Sequence, residues 1–198
     1  GWEYSDTNYI VLGMIIEQVA KNTYYDELRK RILVPFGLKD TVPADSRAVP
    51  GLVQGYAGDK NPFGGSDEMI KGGRFAVNPQ FEWTGGGLAV TALDLARWGK
   101  ILYEGKAFDA SMMASFLDAV PARLGPESKY GLGVIIRPSP LGITYGHSGF
   151  MPGYQTELAY FPDLQTSIAV QVNSSAPRST GKSLRGFVID FATIVAGK

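Results

Sequence analysis

The texture of this chain changes once. Up to about residue 121 its apolar side chains recur at helical spacing, and after Gly125 they recur at strand spacing. Helices come first and strands second, so the chain is read as an α+β fold. A helical lobe with long Gly- and Pro-rich loops is expected over residues 1–125, and antiparallel strands with a closing helix over 126–198. At 198 residues and 44% hydrophobic side chains, the chain is long and apolar enough to bury a core.

In the first part, Tyr9, Leu12, Gly13, Ile16, Val19 and Ala20 make one helical stripe, while Ile10, Val11, Met14 and Ile15 fill the other faces. The pattern predicts a helix over 5–22 that is buried almost all round. Thr23 and Asp26 have the spacing of a capping box for a second helix, which Pro35 and Gly37 end. Thr91 caps a third helix with Leu95, Trp98, Gly99 and Leu102 on one side, and Asp109 starts a short fourth. Residues 42–87 are too long and too rich in Gly, Pro, Asp and Asn for an ordinary connection; ordered loops of this kind border sites. Strands are predicted over 130–137, 143–147, 155–161 and 166–173, with a turn at 162–165. Leu184, Phe187, Val188, Phe191, Ile194 and Val195 form the stripe of a last helix, which covers one face of the sheet.

Composition narrows the function classes. Lys+Arg and Asp+Glu balance at 19 each without a run of like charge, which leaves no electrostatic footprint for nucleic acid. With no cysteine and one histidine, neither a thiolate nucleophile nor a usual transition-metal site can be built, so no metal or cofactor is expected. Gly85-Gly-Gly87 lacks the lysine of a nucleotide loop and reads as a tight turn at the rim of a cleft. Ser179-Thr-Gly-Lys182 spells Ser-x-x-Lys, but a loop and helix cap account for it. The first residues lack the basic start and apolar core of a signal peptide and run at once into an apolar helix, so the chain is expected to be the cut end of a longer protein.

The lone histidine stands in Gly146-His-Ser-Gly149. Three segments that occur in order, residues 4–13 (Tyr-Ser-Asp-Thr-Asn-Tyr onward), 84–98 (Thr-Gly-Gly-Gly onward) and 145–154 (Tyr-Gly-His-Ser-Gly-Phe onward), resemble the serine hydrolases that include class C beta-lactamases, D-Ala-D-Ala carboxypeptidases and related esterases. Pro35-Phe-Gly-Leu, Gly55-Tyr56 and Tyr130-Gly-Leu-Gly133 also look like that family's connecting segments, so the likeness runs nearly end to end. It implies a beta-lactamase/transpeptidase-like fold, incomplete at its N-terminus, and a serine acyl-enzyme acting on an ester, amide or beta-lactam. The nucleophile, a serine in Ser-x-x-Lys, would lie upstream of Tyr4, so the isolated chain is expected to be inactive. Relatives of this kind are commonly exported, which favours an extracytoplasmic location.

The resemblance assigns catalytic roles to Tyr4, as proton acceptor and donor, and to His147, beside the scissile bond. Asp6 occupies the family's asparagine position, where a carboxylate accepts but does not donate hydrogen bonds and repels anionic substrates, so esters or uncharged amides suit the site better. Ser148, Gly149 and Phe150 would contact substrate, Gly149 by allowing close approach and Phe150 by offering its N–H to an oxyanion. Each has a plainer reading: Tyr4 as a hydrophobic staple, Ser5 or Asp6 as a helix cap, His147 as a structural residue. Trp83, Tyr56, Phe63 and Phe81 serve equally as lining of an acyl pocket or as core. A non-catalytic binding or scaffold protein with the same fold is the competing function. Loss of the upstream strands would expose the edge of the strand that begins at Thr166 and ends at Asn173, inviting the missing segment or a second copy to pair there.

Overall fold

The computed structural model describes residues 2–58, 61, 64–176 and 180–197. Ser179 and Phe63 lie outside them. The helical part comprises α1 (Asp6–Ala20), α2 (Tyr24–Leu28), which continues through a wider turn over Arg29–Leu33, and the short strands β1 (Thr41–Pro43), β2 (Ile70–Lys71), β3 (Arg74–Phe75) and β4 (Leu88–Val90). It goes on with α3 (Ala92–Tyr103) and α4 (Met113–Leu117). There follow β5 (Val120–Pro121), β6 (Lys129–Tyr130), β7 (Ile135–Ser139), β8 (Gly142–Met151), β9 (Tyr154–Phe161), β10 (Thr166–Val172) and α5 (Leu184–Val195).

The caps expected from the sequence form. Thr23 accepts from the Asp26 N–H, Thr91 from the Asp94 N–H and Asp109 from the Ser111 N–H. Asp94, fully buried, also accepts from the Asp40 N–H at 2.7 Å, tying the start of α3 to the chain entering β1. Ser5 occupies the cap position of α1 without making a side-chain cap bond, and Asp6 stands one residue inside the helix.

Strands β10-β9-β8-β7-β6-β5 form one antiparallel sheet in that order. Alternation along β9 separates its two faces. Leu158 and Tyr160 pack with Tyr103 of α3 and Val134, whereas Ala159 and Phe161 pack with Val188 and Ala192 of α5. Gly146 is dictated by the closeness of β8 and β9: a Cβ there would lie 1.9 Å from the Leu158 carbonyl oxygen. At Gly149, three residues on, a Cβ would make only ordinary contact with Thr156, at 3.5 Å.

Three expectations need correction. The strand predicted over 130–137 is two strands, because Gly131 donates to the Val134 carbonyl at 2.9 Å and Gly133 adopts φ +79°, turning the chain back on itself. The first helix is not buried all round. Gly13 fits closely against Thr84, yet Leu12, Met14 and Val19 are 52%, 61% and 78% exposed. Apolar periodicity marks a face able to be buried, but burial needs a neighbour, and the described residues place none over that side. In α5 the buried face is Leu184, Val188 and Ala192, while Phe191, Ile194 and Val195 of the predicted stripe point outward. An apolar stripe wider than the sheet it covers leaves its flank in solvent.

The contrast between the two glycines of β8 is testable by thermal denaturation. Gly146→Ala should cost about 2 kcal/mol or more and lower Tm by ~5 °C or more, because the new methyl group meets backbone. Gly149→Ala should stay within ~0.5 kcal/mol of the parent.

Candidate active site

A cavity of about 1330 Å³ opens between the helical part and the sheet, and Tyr4, Asp6, Glu82, Tyr130, His147, Gly149 and Phe150 all line it. Tyr4 enters from the residues just before α1, and its ring centroid lies 5.9 Å from that of His147 on β8. The Gly85-Gly-Gly87 turn forms another part of the wall, as expected of a rim, and the loop over 49–53 closes the far side. Of the aromatic residues offered for an acyl pocket, Trp83, Tyr56 and Phe81 are not in the wall; Phe75, Phe150 and Tyr154, which were not offered for it, are.

Strand lengths create the exposed edge at this cavity. β7 pairs with β8 only from Ser139↔Gly142 to Ile135↔Gly146, whereas β9 pairs with β8 as far as Met151↔Tyr154. Residues 147–151 therefore have β9 on one side and the cavity on the other. The two-residue turn after Met151 makes Met151 and Tyr154 a hydrogen-bonded pair, so by alternation Phe150 turns its N–H to the cavity edge. Ser148 has the same orientation, and its carbonyl accepts from His147 Nδ1 at 2.8 Å. The Ser148 side chain is on the opposite face, where Arg137 Nη2 reaches its hydroxyl at 3.4 Å. Only the backbone of Ser148 thus borders the cavity.

His147 has both ring nitrogens engaged. A carbonyl can only accept, so Nδ1 carries the proton; Nε2 then accepts from the Tyr130 hydroxyl at 3.0 Å. Tyr130 in turn is 2.5 Å from the hydroxyl of Tyr9 on α1. Burial depresses the His147 pKa below the ordinary imidazole value, the nearby Arg137 charge adds to this, and the Ser148 carbonyl and Asp6 oppose it. Behind the sheet, Arg137 pairs with Glu157 at 2.9 Å, with Arg185 4.0 Å from the same oxygen, so two cations face one carboxylate.

The other end of the cavity is acidic. The Asp6 carboxylate lies within hydrogen-bonding reach of the Tyr4 hydroxyl, and burial together with Asp6 drives the Tyr4 pKa well above that of a free phenol. Burial and the same aspartate also raise the Glu82 pKa. An electrostatic field of this sign opposes formation of a Tyr4 phenolate. Sequence reasoning missed Glu82, Tyr9 and Tyr130. No local motif marks Glu82, Tyr9 was legible only as part of the first segment and its helical stripe, and Tyr130 only as the residue before a Gly-x-Gly turn.

The depressed His147 pKa has a signed consequence. Below ~6.5, the unfolded imidazole binds a proton that the folded one resists, so stability falls as pH falls through that range and the effect vanishes above it. Tyr4 from the N-terminal part and Tyr130 from β6 face the ring, Tyr9 backs Tyr130, and the charges of Asp6 and of Arg137 on β7 act on the ring from a distance. An NMR titration should place the His147 midpoint below ~6.5, and urea unfolding should show a larger loss between pH ~7.5 and ~5 for the parent than for His147→Gln.

The comparisons with known proteins agree with this architecture. Residues 1–192 match the Beta-lactamase family. A penicillin-binding protein of Bacillus subtilis (strain 168) is 28% identical over 170 residues, covering 82% of this chain and 38% of that protein. A D-stereospecific amidohydrolase from Streptomyces sp. superposes with a TM-score of 0.74 at 25% identity, over 88% of this chain and 51% of its own. The octameric penicillin-binding protein homologue from Pyrococcus abyssi gives 0.70 at 26%, over all of this chain and 43% of its own. The chain thus spans about half the length, or less, of the relatives it matches. Helical part, antiparallel sheet, the ordered motifs and the match over residues 1–192 place this chain in the Beta-lactamase family of serine hydrolases.

Proposed function

We propose that this chain supplies the phenol and imidazole side of a serine-hydrolase site whose nucleophile stands upstream of Gly1, and that the whole protein cleaves an ester or uncharged amide through an acyl-enzyme. The observation that carries this reading is the convergence of Tyr4, His147 and the unpaired edge of β8 on one cavity. Acyl transfer needs a base near the nucleophile and a donor where the carbonyl oxygen becomes negative. Tyr4 takes the first role once a cation from the missing segment offsets Asp6, and the Phe150 N–H takes the second. Gly149 fits the same reading, because packing leaves room for a side chain there that the cavity edge lacks.

Two carboxylates beside Tyr4 select against substrates that carry a carboxylate of their own. Beta-lactams and D-Ala peptides are anionic, so neutral acyl donors are preferred. A non-catalytic binding protein is the second reading, favoured by the hold of Asp6 on the Tyr4 hydroxyl, which works against its use as a base. The open side of β10, bonded in the sheet only to β9, is where the upstream segment or another copy would add a strand.

Mass spectrometry after treatment with a fluorophosphonate tests the proposal. A serine adduct is expected in the parent protein upstream of Gly1. The 198-residue chain alone should remain unlabelled, show no saturable ester hydrolysis, and run above monomer mass by light scattering. An unlabelled parent would favour the binding protein, and saturable hydrolysis by the chain alone that is lost in His147→Ala would overturn the missing nucleophile. In the parent, Asp6→Asn should raise kcat/KM for an ester bearing a carboxylate, relative to its neutral counterpart, by about 5-fold or more.

A further inference from the structure

We infer that Tyr130 and Tyr9 are positioning residues of this site, their linked phenols fixing His147 as the neutral imidazole that carries its proton on Nδ1. That His147 borders the reacting atoms rests on the function proposed above; the positioning itself rests on geometry. Four groups from three elements are linked in series: Tyr9 on α1, Tyr130 on β6, and His147 and the Ser148 carbonyl on β8.

The direction of the line is set at its far end. The Ser148 carbonyl has no proton to give, so Nδ1–H donates to it. Nε2 is then a lone pair, which only a donor can satisfy, so the Tyr130 O–H points at it over 3.0 Å. With its proton committed, the Tyr130 oxygen accepts from Tyr9 at 2.5 Å. Every group has one role, and reversing any of them breaks its neighbour. Tyr130 is 9% exposed, too little for water to replace these bonds readily.

Two consequences follow for the site. The orientation of the imidazole is fixed, because both nitrogens are engaged, one by the Tyr130 hydroxyl and one by the Ser148 carbonyl. It is also kept uncharged, so its contribution at the cavity wall is a neutral edge and not a cation. A lysine at this position would bring a positive charge to the same place, and the Tyr9–Tyr130 pair is the device by which this chain does without one. The pair also joins α1 to the sheet, so the helix that follows Tyr4 is linked to the strand that carries His147 through two hydrogen bonds, Tyr9 to Tyr130 and Tyr130 to His147.

The test is 15N NMR of histidine-labelled protein, with the His147 signal assigned by its loss in His147→Gln. Above pH ~7.5 the ring should show a protonated Nδ1 and an unprotonated Nε2. Tyr130→Phe should leave the proton on Nδ1, where the Ser148 carbonyl holds it, and raise the imidazole pKa by ~0.5 or more, since the donor that favours the neutral ring is gone. Tyr9→Phe, which leaves Tyr130 in place, should shift the pKa the same way by less. It keeps the test alive if Tyr130→Phe does not fold. In the parent protein Tyr130→Phe should lower kcat about 10-fold with KM nearly unchanged. A protonated Nε2 in the unsubstituted protein, or an imidazole pKa unmoved by Tyr130→Phe, would overturn the inference. A parent that labels with fluorophosphonate yet shows the wrong tautomer sinks the positioning alone. One that fails to label yet shows the stated tautomer sinks the hydrolase reading and supports the positioning.

Discussion

The mismatch in length between β7 and β8 governs this site. A sheet satisfies its backbone by pairing, and a strand left unpaired on one side must face solvent, another chain or a ligand. The turn at Gly131–Gly133 ends β7 opposite Gly146, and β8 then runs five residues farther with only β9 beside it. His147, the Ser148 carbonyl and the Phe150 N–H all belong to that overhang. Had β7 continued, the Ser148 carbonyl and the Phe150 N–H would be consumed by the ladder.

Electrostatics divides the cavity into two ends. At the sheet end, burial and the Arg137 charge keep His147 neutral, with Glu157 half-neutralising the two arginines behind it. At the helix end, burial and the Asp6 charge raise the pKa of both the Tyr4 phenol and Glu82. A base at Tyr4 therefore requires positive charge close to it.

The apolar outer face of α1 and the flank of α5 belong to the same account. Leu12, Met14 and Val19 are as hydrophobic as any core residue, and nothing in their spacing distinguishes a face covered within the chain from one left bare. The edge strand β10 is alike in kind: among the described residues it is bonded in the sheet to β9 alone.

Much of the fold was legible in the sequence, because it rests on local rules. The caps at Thr23, Thr91 and Asp109, the turn at 162–165, the alternation of β9 and β10 and the span of α5 each depend on residues within a few positions of one another. The ordered motifs around Tyr4 and His147 were legible for the same reason. Tertiary structure alone decided the rest: that Ser148 turns its hydroxyl to the far face, that Glu82 joins Asp6, that Trp83 stays out of the cavity, and that Tyr9 and Tyr130, 121 residues apart, bond through their hydroxyls to reach His147. Those facts depend on which strand stops first and which helix face finds a neighbour, and such pairings between distant residues leave no periodic trace in a single chain.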